Sequence, residues 1–217
     1  MDMQSLNPQV LALFMGMLTL LPLLTITCTS FLKISVVLLI VRNAIGIQQV
    51  PTNMVIYSIS LAATLFIMAP VLNETNNRIQ HIPPEKISFE AVYTHHETIV
   101  EPLKIFLLKN IDPNTHVRLT EAARKLWRNS ENDTVYSDNI IVTLCAFVLS
   151  ELQSAFKTGF LIYIPFLAVD LIVANILMAL GMQMVAPMVI SLPVKILLFT
   201  LVEGWSRLLE GLLYSYI

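Results

Sequence analysis

Residues 164–195 read IPFLAVDLIVANILMALGMQMVAPMVISLPVK, and in that stretch only Asp170 and Lys195 carry charge. The run is otherwise apolar, yet it is punctuated by Pro165, Gly181, Pro187 and Pro193. Continuous helices surrounded by lipid rarely need such punctuation. Broken helices are tolerated at membrane depth where neighbours or a water-filled cavity re-satisfy the freed backbone groups. The stretch therefore predicts broken helices in a packed assembly or around a pore, and Gly159 and Gly204 extend the pattern across residues 140–217.

The remainder of the chain agrees with a membrane setting. Of 217 residues, 56% are hydrophobic and 13% charged, against about 25% charged in soluble domains, and the mean hydropathy is +0.72. Eighteen of the 28 Asp, Glu, Lys and Arg side chains fall between Glu74 and Asp138, together with all four histidines. No charge occurs from Met3 to Leu32, and after Lys33 and Arg42 the next is Glu74. These uncharged runs exceed the ~20 apolar residues of a membrane-crossing helix.

Three regions follow. Residues 1–72 form an N-terminal apolar hairpin of two long helical segments, interrupted at residues 42–51 (RNAIGIQQVP), where Gly46 and Pro51 predict a turn. Residues 73–139 are a small hydrophilic helical insert. Its opening, with Pro83-Pro84, is loop-like. Val100, Leu103, Phe106 and Leu107, then Leu119, Ala122, Ala123, Leu126 and Trp127, recur at helical spacing and predict two amphipathic helices joined through Asp112-Pro113. Residues 140–217 are the apolar, broken-helix region. The fold class is all-α membrane protein.

Lys33 and Arg42 flank the first turn, whereas the insert has no Lys or Arg excess. The positive-inside tendency places the turn in the cytoplasm and the insert on the periplasmic side. The start, Met-Asp-Met-Gln-Ser, lacks the basic residues of a secretory signal, so the first apolar segment is expected to be kept as a helix. Cys28 and Cys145 sit in apolar runs and read as small hydrophobes rather than as a disulfide or CxxC pair.

Charges in the third region are expensive. Glu151, Lys157, Asp170, Lys195 and Glu203 stand isolated there, and a charge at the bilayer centre costs about 2.5–3.5 kcal/mol on insertion scales. Each needs a partner, water or a headgroup. The expected pair is Glu151 with Lys195, across a subunit interface, and the alternative is that both snorkel to the membrane rim. Arg42, Asn43, Gln48, Gln49 and Pro51 form a polar turn that contacts a neighbouring subunit or cytosolic machinery, or is simply solvated.

Residues 177–188 hold four of the ten methionines around Gly181 and Pro187. Methionine is soft and unbranched and fills gaps without imposing one shape. A ring of such side chains from several copies closes a pore by dewetting while yielding to an extended polypeptide. Ordinary helix packing is the competing reading.

Several function classes lack their residues. A membrane enzyme needs clustered catalytic groups, but Asp170 is a lone acid and no histidine lies in an apolar region. His81, His95, His96 and His116 follow no familiar metal-ligand spacing, so neither metal nor cofactor is expected. No Gly-rich phosphate loop is present. A net charge of −2 without a basic patch argues against nucleic acid. A small-solute transporter is an alternative, since such folds also use broken helices and buried charge, though the internal repeats they often carry are not evident here.

Residues 42–51, 145–160 (CAFVLSELQSAFKTGF) and 164–195 closely resemble the SctR/FliP family, the R-type subunits of type III secretion export gates. The likeness covers both apolar regions, about two-thirds of the chain, and the insert matches weakly. The resemblance implies a homo-oligomer, a pentamer, that joins S-type and T-type subunits and other export-apparatus membrane proteins in a helical gate. It implies that unfolded secreted proteins pass through the centre, and that the helices pack on one another and are lifted toward the periplasmic side. It places a methionine gasket, the pore constriction, on Met182, Gln183 and Met184. Flagellar relatives have Met at all three positions, so Gln183 puts an amide in the ring or points away from it. The absent signal-like start, since flagellar relatives usually begin with one, favours the injectisome branch over a flagellar P-type subunit.

Overall fold

The computed structural model describes residues 8–47, 49–80, 96–127, 139–182 and 184–217. The described residues contain helices and no strand: α1 (Pro8–Cys28), α2 (Phe31–Ile45), α3 (Asn53–Gln80), α4 (His96–Lys109), α5 (Pro113–Leu126), α6 (Ile140–Ala179), α7 (Pro187–Leu201) and α8 (Gly204–Tyr214).

Helix α2 is the axis around which the apolar helices pack. Ile34, Val37, Leu38, Val41, Ala44 and Ile45 are all buried, and they meet Ile56 of α3, Ala155 and Phe166 of α6, Phe199 of α7 and Leu212 of α8. The most extensive contact is between α2 and α6. A Cβ added at Gly159 would stand 2.6 Å from Ile40 Cδ1 and 3.2 Å from Ile40 Cβ, so the absent side chain is what admits α2. In lipid the tails are as apolar as leucine, and such helices are held by close packing and polar contacts rather than by a hydrophobic driving force.

Two features differ from the expected breaks. Helix α6 runs unbroken for 40 residues through Gly159 and Pro165. Gly159 serves packing against Ile40, and Pro165 costs one backbone hydrogen bond that the rest of a long helix outweighs. The first apolar region, expected as two helices, is three, because α1 and α2 are bent by 72° at Thr29-Ser30. The Thr25 and Thr27 hydroxyls donate back to the carbonyls of Leu21 and Leu23 at 2.9 Å, and the Phe31 N–H donates to Thr29 Oγ1 at 3.3 Å. Such local bonds compete with the helix ladder and bend it.

The insert helices fall where the apolar spacing predicts them. Asp112 caps α5, its Oδ2 accepting from the Thr115 N–H at 2.9 Å, with Pro113 opening the helix. The Asp112 N–H itself donates to Ser150 Oγ at 3.0 Å, which fastens the insert to α6. Asp112→Ala is expected to cost about 1 kcal/mol and to raise hydrogen exchange in the first turn of α5 while leaving α6 protected; unchanged exchange there would remove the cap from the account.

Helices α3 and α6 are each long and apolar enough to cross a membrane, and α1–α2 and α7–α8 qualify as bent pairs, the second bent by 60°. At about 1.5 Å per residue α6 reaches roughly 60 Å, twice a hydrocarbon core of about 30 Å. Of the most apolar window, 11% in α6 and 22% in α3 is buried within the chain. The rest of that surface must meet lipid or other protein.

Candidate functional site

The methionine segment is a turn with a defined geometry. At the end of α6 the Met182 N–H donates to the Leu177 carbonyl and the Gly181 N–H to the Met178 carbonyl, both at 3.0 Å. With Gly181 at φ +71°, this is the paired closure that ends a helix through a left-handed residue. The Val185 N–H then bonds to the Met182 carbonyl at 3.4 Å, and Pro187 opens α7 with φ already set for a helix. The turn lifts its methionines off the body of the chain: Met184 is 100% exposed and Met182 43%. Gln183 lies outside the described residues.

Beneath the turn is a cavity of about 390 Å³ between α2, α6 and α7, lined among others by Asn43, Gly46, Tyr163, Asp170, Met188 and Ser191. Lys195 reaches its edge and donates to Asp170 Oδ2 at 2.5 Å and to the Ala44 carbonyl at 3.1 Å. One buried ammonium thus ties three helices together. Gly46, left-handed at φ +92°, caps α2 there, and a Cβ on it would come within 3.5 Å of Leu192 and 3.7 Å of Met188.

The polar turn is closed by Arg42, whose Nη1 donates to the Pro51 carbonyl at 3.2 Å and to Asn53 Oδ1 at 2.6 Å. Asn43 and Gln49 are exposed, and Gln48 lies outside the described residues. The turn at residues 42–51 and the methionine turn, far apart in sequence, therefore adjoin the same cavity through Asn43, Gly46 and Met188.

The expected partnership of Glu151 with Lys195 is not made within one chain. Lys195 is taken by Asp170, and Glu151, 2% exposed, accepts from the Tyr216 hydroxyl on another side of the bundle. Both carry the partner that their burial demands, but spacing along the sequence did not identify it. Asp170, Lys33 and Tyr216 were missed as partners; the only signal was that buried charges must be matched. Of the histidines, His81 and His95 lie outside the described residues. Cys28 is a half-buried thiol and Cys145 an exposed one, both free.

Comparison with known proteins adds the lineage. The FliP family profile matches residues 14–212. The harpin secretion protein HrcR of Erwinia amylovora is 53% identical over all of both chains. The Yop proteins translocation protein R of Yersinia pestis is 41% identical over 95% of each chain, and the virulence protein YscR of Salmonella typhimurium 38% over 97% of each. These relatives bear secretion and virulence names, which favours the injectisome branch over the flagellar alternative. With a full-length match of this kind, and with apolar helices able to cross a membrane, the chain belongs to the FliP family, as a type III secretion export-apparatus component of the injectisome branch.

Proposed function

We propose that copies of this chain, a pentamer, join S-type and T-type subunits and other export-apparatus membrane proteins as the core of a gate for unfolded secreted proteins. The gate sits in the bacterial inner membrane. The observation that carries the reading is the methionine turn: a loop closed by backbone hydrogen bonds leaves Met182 and Met184 exposed, where another molecule can cover them. Soft thioethers brought together from several copies make a dewetted seal that an extended polypeptide can part. Gln183 stands between them as the third residue of the constriction.

The exposed apolar surface of α3 and α6 supports assembly, and the reach of α6 beyond one hydrocarbon thickness supports a gate lifted toward the periplasmic side. The polar turn at residues 42–51 faces the cytoplasm and offers Asn43 and Gln49 to a neighbour. On this reading the chain guides and seals, and performs no chemistry. Glu151 and Lys195 bring opposite charges toward each other between copies, while Glu151 keeps Tyr216 and Lys195 keeps Asp170 within the chain.

A single cysteine at position 184, with Cys28 and Cys145 replaced by alanine, tests the constriction. It should cross-link between copies, and a membrane-impermeant thiol reagent should label it only while substrate passes. Labelling by a lipid-confined reagent at all times, without cross-links, would place Met184 on the outside and end the proposal.

A further inference from the structure

Helix α8 ends at Tyr214, but the chain does not leave the bundle there. Tyr216 is 8% exposed and lies among Met68 of α3, Phe106 and Leu107 of α4 and Phe147 of α6. Its ring stacks on Phe106 at 6.1 Å and 15°, and Phe106 meets Phe147 at 6.0 Å. Its hydroxyl donates to Glu151, and Lys33 Nζ sits 4.5 Å over its ring while donating to Ser215 Oγ at 2.9 Å. Lys109 of the insert donates to the carbonyls of Tyr216 at 3.4 Å and Ile217 at 3.0 Å.

We propose that residues 215–217 are a strap that docks the hydrophilic insert onto the spanning helices, with Tyr216 as the positioning residue that bridges the buried Lys33 and Glu151. Three independent ties meet in these three residues: an aromatic stack with α4, backbone carbonyls held by Lys109, and a side chain set between opposite charges on α2 and α6. Among the described residues Lys33 and Glu151 make no direct ion pair, so the phenol and the Ser215 hydroxyl supply what burial takes from both. Burial and the adjacent Glu151 carboxylate push the Tyr216 phenol up from its ordinary value, which keeps the proton it donates. The strap holds whether or not the methionine turn is the constriction.

The test is hydrogen exchange on the purified full chain in detergent. Tyr216→Phe removes only the bridge and should speed exchange in α4 about tenfold, the effect of one lost hydrogen bond to a charged group, while α7 is unchanged. The same substitution in a Lys33→Met, Glu151→Met chain should have no further effect, because neither a charge nor an acceptor is left for the hydroxyl to bridge. Tyr216→Ala should release α4 more fully. Unchanged exchange in α4, or an equal effect of Tyr216→Phe with and without the two charges, would overturn the strap. If Tyr216→Ala fails to accumulate, the two Tyr216→Phe measurements decide alone.

Discussion

Asp170→Leu is expected to lower the yield of folded, detergent-extracted protein by about tenfold or more, because it strands Lys195 inside the bundle. Breaking a buried pair by deleting one partner typically costs about 3–5 kcal/mol. The Lys195 side chain is 7% exposed, and among the described residues its one other bond is to the Ala44 carbonyl. Lys195→Met should cost less, since the Asp170 side chain is 38% exposed and keeps access to the cavity. The double variant Asp170→Leu, Lys195→Met should regain most of the loss, as apolar replacement of a whole pair often does. Yield and thermal midpoint in one detergent read all three. A wild-type Asp170→Leu would remove this pair. Separately, if Glu151→Lys abolishes assembly and Lys195→Glu restores it, the two residues partner across copies as proposed.

Gly204→Ala is the second large effect. The new Cβ would lie 2.2 Å from Phe199 Cε2, 2.3 Å from Cδ2 and 2.6 Å from Cζ, against one face of a ring rather than the tip of a flexible chain. That ring cannot retreat freely, because Phe166 holds it at 5.9 Å and Trp205 meets it edge-on at 5.2 Å. Overpacking of this kind costs about 1–3 kcal/mol, or about 2–4 °C of melting midpoint per kcal/mol in a chain of this size. The bend between α7 and α8 should open with it. Gly211→Ala is the control: nothing lies within 4 Å of its new Cβ, and alanine is the better helix former there. Equal midpoints for the two variants would show that Phe199 yields and that Gly204 is not a packing requirement. Phe199→Leu should relieve Gly204→Ala if the ring is the obstacle.

The partly legible cases show where local information ends. Pro187 and Gly181 do mark a break, because a left-handed glycine and a helix-opening proline act through their own backbone. Pro165 and Gly159 look the same in the sequence and mark none, because α2 lies against that part of α6 and turns Gly159 into a contact with Ile40. The bend at Thr29-Ser30 was signalled by the run TITCTS at residues 25–30, whose hydroxyls can bond locally; apolarity alone hid it.

The sequence by itself determined that the chain is helical, apolar enough for a membrane, divided by a hydrophilic insert, and related to a family through long motifs. It also determined that a charge buried within residues 140–217 needs company, since desolvation penalises any charge taken from water. Tertiary structure alone decided which company: Lys195 with Asp170 and Ala44, Glu151 with Tyr216, Lys33 with Ser215. The reason is geometric. A buried charge bonds whatever the packing brings within about 3 Å, and residues 25 to 182 positions apart arrive there by shape, which no spacing along the chain encodes.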